Sequence, residues 1–169
     1  MDAGKLKGLA IVSLGDGAKL GRVDDVLFET RPLRAAALSV RGDGQDFVIP
    51  FAQLTTIGAD AVTVESGQVT QTASKEGAYS GLAGLGELMK FQVVDEAGTL
   101  VGTLGGIELD PASGQVTGIA VHKGGLLGLG GTTTRIMPSA WLATSSSVSE
   151  QPPFGERSMP FVSSRQRRP

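Results

Sequence analysis

Leu20-Gly21-Arg22-Val23-Asp24-Asp25-Val26-Leu27-Phe28-Glu29 returns in altered form as Val101-Gly102-Thr103-Leu104-Gly105-Gly106-Ile107-Glu108-Leu109-Asp110. Leu20 falls on Val101, Gly21 on Gly102, Val23 on Leu104, Val26 on Ile107 and Phe28 on Leu109, all at an offset of 81 residues. The same offset carries Ala36-Ala37-Leu38-Ser39-Val40 onto Thr117-Gly118-Ile119-Ala120-Val121. One offset across two segments marks an internal repeat. Farther on, Val48-Ile49-Pro50-Phe51-Ala52-Gln53-Leu54 matches Ile136-Met137-Pro138-Ser139-Ala140-Trp141-Leu142, with Pro50 on Pro138. The offset there is 88, so the second copy carries seven extra residues, placed within Lys123–Thr134.

Each copy reads as short strands bounded by turn signals. Val23–Glu29 and Leu104–Asp110 are apolar and rich in branched side chains. Ala35–Arg41 and Gln115–His122 alternate in part, with Leu38/Val40 and Ile119/Val121 two residues apart on one face. Gly42-Asp43-Gly44 is a hairpin signal and Asp110-Pro111-Ala112-Ser113-Gly114 a turn. Pro50 and Pro138 end their strands, since proline donates nothing to a ladder, and Phe51–Leu54 and Ser139–Leu142 each suit one helical turn. Ala61–Val64 closes the first copy; its counterpart is expected around Ser145–Val148, a serine-rich, weak strand. No long helix is expected. Many short strands with Gly/Pro turns point to an all-β barrel or sandwich. Val23, Val26, Phe28, Leu38 and Val40 form the expected core of the first copy, and Leu104, Ile107, Leu109, Ile119 and Val121 that of the second. Val23 and Val26 differ in parity, so a bulge or a strand buried on both sides is required.

Composition excludes several functions. Among 169 residues there is no cysteine, so disulfides, thiolate zinc sites and a Cys nucleophile are out. The single histidine, His122, ends a strand, and no Gly-x-Ser-x-Gly elbow accompanies it, so it reads as a surface residue. Asp24 and Asp25 should point to opposite faces of a strand. Glu108 and Asp110 share a face but make a poor cation site alone. No catalytic, cofactor or metal residue is therefore assigned. The net charge is −2, but it is uneven: residues 151–169 hold Arg157, Arg165, Arg167 and Arg168 against Glu156, and the remainder is acidic. An acidic body repels a phosphate backbone, which argues against nucleic acid as partner. No apolar run is long enough to span a bilayer. The polar start and the short apolar stretch after it do not make a signal peptide. A cytoplasmic location, peripheral at the inner membrane, is the expectation.

The repeat resembles the PRC-barrel family. The residues that carry the likeness are Gly21-Arg22-Val23-Asp24-Asp25-Val26, Leu38-Ser39-Val40 and Val48-Ile49-Pro50-Phe51-Ala52-Gln53-Leu54, with Gly124-Gly125-Leu126-Leu127-Gly128-Leu129-Gly130-Gly131 in the second copy. The resemblance implies two small β-barrels in tandem and a role as an interaction module. One branch of the family, similar to the reaction-centre H subunit, caps the cytoplasmic face of a photosynthetic membrane complex. Another serves ribosome maturation and binds a small-subunit ribosomal protein. The chain departs from both: it lacks the membrane helix of the first and has PRC-like copies in both halves, unlike the second.

The expected layout is a first unit at 1–66, a linker at 67–85, a second unit at 86–148 and an extended tail at 149–169. A phosphate loop at 124–131 would need a helix after it, but the following Thr132–Ile136 is strand-like. That segment is either a hairpin loop or a contact loop presenting Leu126, Leu127 and Leu129. The tail cannot order itself, yet Phe154 and Phe161 spaced among prolines suit an extended docking peptide. Arg165, Arg167 and Arg168 either anchor to acidic groups or anionic lipid or are simply solvated. The expected partners are protein subunits of a larger complex, and no cofactor is assigned.

Overall fold

The computed structural model describes residues 1–72, 79–94, 97–123, 132–136 and 142–145. Among these, one sheet runs β5-β6-β1-β2-β3-β4-β7, comprising β1 (Ala10–Ser13), β2 (Lys19–Thr30), β3 (Leu33–Gly42), β4 (Asp46–Pro50), β5 (Leu54–Ile57), β6 (Ala61–Val64) and β7 (Gln71–Thr72). A short strand β8 (Ala83–Gly84) adds to β2. The second sheet runs β12-β11-β10-β9-β13, from β9 (Phe91–Val94), β10 (Leu100–Leu109), β11 (Val116–Lys123), β12 (Thr132–Ile136) and β13 (Leu142–Ser145). The fold is all-β, and the only α-helix among the described residues is the single turn α1 (Leu85–Leu88). The expected turn after Pro50 is a 3-10 turn at Phe51–Gln53; its counterpart at 139–141 lies outside the described residues.

The parity conflict resolves as a bulge, and in the same place in both copies. Val23 pairs Val40, but Asp25 pairs Ser39, leaving Asp24 as the extra residue. Leu104 pairs Val121, but Gly106 pairs Ala120, leaving Gly105 extra. Asp24 and Gly105 are 81-offset equivalents. A bulge resets alternation, so Val23 and Val26 both face inward. All ten expected core residues are buried. The glycine of each Gly-x-Val step is also explained. A Cβ on Gly21 would overlap the Arg41 carbonyl, and one on Gly102 the equivalent His122 carbonyl.

The copies diverge after the proline. In the first, Gly58-Ala59-Asp60 turns the chain so that β6 runs parallel beside β1 and carries β5 outside it. The second copy has serines where that turn would be. There β13 pairs β9 directly and antiparallel. Of the strand expected around Ser145–Val148, Ser145 ends β13, and residues 146–148 lie outside the described residues. The ladder also corrects the proline alignment by one residue. Ile49 faces Leu38, and it is Ile136, not Met137, that faces the equivalent Ile119.

The stretch 67–85, read from composition as a linker, carries structure at both ends. Ser66 accepts from the Gln68 N–H at the start of a 3-10 turn, β7 pairs β4, and β8 pairs β2. Backbone pairing there is supplied by tertiary partners, which polar composition does not reveal.

The two units exchange their leading segments. Asp2 bridges to Glu108, and Met1 and Leu109 trade backbone hydrogen bonds. Reciprocally, Gly84 and Ala83 pair Leu27 and Phe28, the 81-offset equivalents of Glu108 and Leu109. Behind each exchanged dipeptide sits one tight turn, Ala3–Leu6 or Leu85–Leu88, whose end residues are buried. Their caps are complementary. Asp2 Oδ1 accepts from the Gly4 N–H at 2.7 Å, and a Cβ on Gly106 would crowd the Asp2 carboxylate. At the other cap Gly84 has no such side chain, and Asp25, the equivalent of Gly106, supplies the carboxylate: its Oδ2 accepts from Gly86 N–H at 3.4 Å. One aspartate thus serves each cap, once from the leader and once from the strand.

The units meet about a pseudo-twofold axis. Arg34 bridges Gln115, its own 81-offset equivalent, and the Ala35 N–H donates to Gly114 O at 2.9 Å. Buried side chains of both sheets join one hydrophobic cluster. The two units therefore pack on each other within one chain. Gly114 sits at this contact with φ +71°, and a Cβ there would lie 2.8 Å from the Phe51 ring. Gly114→Ala is expected to cost more than about 1 kcal/mol, since alanine is strained at positive φ; chemical denaturation measures it.

Candidate functional site

Among the described residues a concavity lies where the two units meet. A cleft of about 470 Å³ is bordered by the β2–β3 hairpin, the Phe51–Gln53 turn, the Tyr79–Leu82 segment and the β10–β11 turn at Ala112 and Ser113. Its floor is Phe51, 5% exposed, with Ala35 and Ala36 beside it. β2 and β3 are joined by only Arg31-Pro32, which sets Glu29 directly opposite Arg34 across the ladder. The Arg34 guanidinium donates from Nε to Glu29 Oε2 at 2.7 Å and from Nη2 to Oε1 at 2.9 Å, a bidentate pair. That hydrogen bonding holds the Glu29 carboxyl below its ordinary value and raises Arg34. Because the folded value of Glu29 is lowered, the pair's contribution is present above the ordinary carboxylate range. It is lost as pH falls through the lowered value. Both groups are solvated, so the contribution is small.

The remaining charged groups have structural partners. Asp24 accepts from Arg41 at 2.7 Å, whereas Asp25 accepts from Lys7 at 3.1 Å and from the Val26 N–H, so the two carboxylates have separate partners. Asp110 caps its turn, accepting from the Ala112 N–H at 2.8 Å. His122 is exposed, and its Nδ1 lies 2.8 Å from Thr133 Oγ1. Lys19, Arg22 and Arg41 border a shallow depression, but Asp43 lines it too, Arg41 is paired with Asp24, and Arg22 donates to Gly8 O at 3.0 Å. Among the described residues no three His, Cys, Asp or Glu are grouped to hold a metal ion. No helix among them is long and apolar enough to cross a membrane.

The contact residues expected from sequence, Leu126, Leu127, Leu129, Phe154, Phe161, Arg165, Arg167 and Arg168, all lie outside the described residues. The Glu29–Arg34 cleft was missed by sequence reasoning. Its signal was available: extending the 81-residue offset places Glu29 on Asp110 and Arg34 on Gln115, so the copies differ in charge there. The leader exchange also had a trace, in Ala3-Gly4-Lys5-Leu6 against Leu85-Gly86-Glu87-Leu88.

Two bulged hairpins exchanging leaders around one apolar core define a duplicated β-barrel module. The family model of the PRC-barrel domain matches residues 1–71 and 83–145, and the chain belongs to the PRC-barrel family. The second matched segment begins at β8, as the exchange requires. Domains of this family act in general as protein-interaction or scaffold modules and are generally non-catalytic. No curated protein matches the chain.

Proposed function

We propose that this protein is a non-enzymatic scaffold or assembly subunit that docks on the cytoplasmic face of a larger membrane complex, the favoured one being a photosynthetic reaction centre. The observation that carries the scaffold reading is the family match over both halves, joined to an interior filled by apolar side chains of both sheets. The choice of complex rests on the resemblance to the reaction-centre subunit. Docking is assigned to the glycine-leucine segment with Leu126, Leu127 and Leu129 and to the tail. Phe154 and Phe161 would lie in a partner's groove, with proline reducing the entropy lost on ordering. Arg165, Arg167 and Arg168 would meet acidic groups or anionic lipid, at about 1 kcal/mol each near a charged membrane.

Deletion of residues 151–169 tests the tail. The melting temperature is expected to stay nearly unchanged while association with the membrane complex weakens. Replacing the three terminal arginines by Gln should weaken it less, and mainly at low salt, because exposed charges are screened. Equal binding by the truncated chain would move the docking surface to the sheets and the Leu126–Leu129 segment. Fractionation tests the complex itself: copurification with membranes supports the reading, and cosedimentation with ribosomal subunits overturns it in favour of a ribosome-assembly adaptor.

A further inference from the structure

We infer that the cleft between the two units binds a small organic monocarboxylate, its carboxylate on the open edge of Arg34 and its apolar body against Ala36, Ala52 and Leu82. A guanidinium has two edges suited to bidentate pairing. Glu29 occupies the Nε/Nη2 edge at 2.7 and 2.9 Å and so fixes the plane of the group. Among the described residues Nη1 has no acceptor, and with the second N–H of Nη2 it forms a prepared fork. Arg34 and Phe51 line the same cleft, whose volume of about 470 Å³ suits a small ligand. Apolar walls from Ala36, Ala52 and Leu82 complete the pocket for a compact body.

The pseudo-symmetry separates this arrangement from the needs of the fold. At the equivalent place in the second unit stand Asp110 and Gln115, tied by a backbone hydrogen bond, Asp110 N–H to Gln115 O at 2.8 Å. The turn therefore forms there without a cation. On the first side the chain carries Arg34 where the second copy has Gln115. The charge of the ligand follows from Glu29. A monoanion meets the guanidinium fork at modest cost from the neighbouring carboxylate. A phosphate, carrying nearly two charges, is repelled more strongly, and among the described residues no second cation lines the cleft.

The test uses the full chain alone, so its outcome is independent of docking to any complex. Heteronuclear NMR follows a titration with phenylacetate, with phenylacetamide and inorganic phosphate as comparisons. Phenylacetate is expected to give saturable shifts at Arg34 Nε–H and at the amides of Ala35, Ala36 and Ala52. Phenylacetamide should bind at least about tenfold more weakly, the difference a charge-assisted pair makes. Arg34→Gln should lose affinity by a similar factor with its melting temperature retained. Ala52→Trp, at an exposed position of the cleft lining, fills the cleft while leaving Glu29 and Arg34 in place, and should abolish the shifts. The inference is overturned if phenylacetate gives no saturable shifts, if the amide binds equally well, if phosphate shifts the same signals more tightly, or if either variant binds like the parent.

Discussion

Phe28→Ala is expected to remove about 3–5 kcal/mol of stability, the range for deleting a fully buried aromatic side chain. Phe28 is 0% exposed and occupies the middle of the exchange. On β2 it faces Ala35 of β3 on one side and Ala83 of the exchanged strand β8 on the other. The two alanines give the ring its room, and neither can move in to fill the space it would leave. Because the core cluster includes both sheets, the loss should appear as a shift of one cooperative transition rather than as early melting of half the chain. Urea unfolding followed by circular dichroism and by fluorescence reads this directly. Coincident curves with a lowered midpoint are expected. An unchanged midpoint would remove Phe28 from the core, and two separated transitions would refute the shared one.

Gly21→Ala and Gly102→Ala are each expected to cost about 3 kcal/mol, the upper end for forcing atoms into a packed site. The obstacle in both cases is backbone: the carbonyl of Arg41 or of His122, held in a ladder. A flexible side chain would move aside, but a paired carbonyl moves only with its strand. The Val40 and Val121 side chains close the same space within 3.0 Å and 2.9 Å. Gly81 is the control, since a Cβ there meets nothing; Gly81→Ala should stay within about 0.5 kcal/mol. Similar losses at the two glycines would show that the duplicated hairpins are energetically as well as geometrically equivalent. A loss at neither would mean that the strands can separate to admit a methyl group.

The repeat, the strands and the ten core residues were legible because each rests on local pattern. The 81-residue offset, alternation on β3 and β11, and the proline step are properties of consecutive residues. Even the bulge was implied, since Val23 and Val26 cannot both point inward on an uninterrupted strand. Which residue is extra was decided by the partner strand, through the pairing of Asp25 with Ser39. The Glu29–Arg34 pair was hidden differently. Five residues apart, the two charges look unrelated until the two-residue turn folds one strand against the other.

By itself the sequence determined that this is a duplicated all-β chain of the PRC-barrel kind, with no thiol or multi-histidine chemistry. Composition and period suffice for that, because side-chain direction along a strand follows residue parity. Only the tertiary structure decided that the units are interlocked rather than strung on a linker. The exchanged segments Asp2 and Ala83–Gly84 are too short to show a strand period, and they are extended because a distant strand end offers them hydrogen bonds. The same holds for the shared caps. Asp2 and Asp25 do equivalent work from non-equivalent positions, and that equivalence exists only where the pseudo-twofold axis brings Gly106 and Gly84 against them.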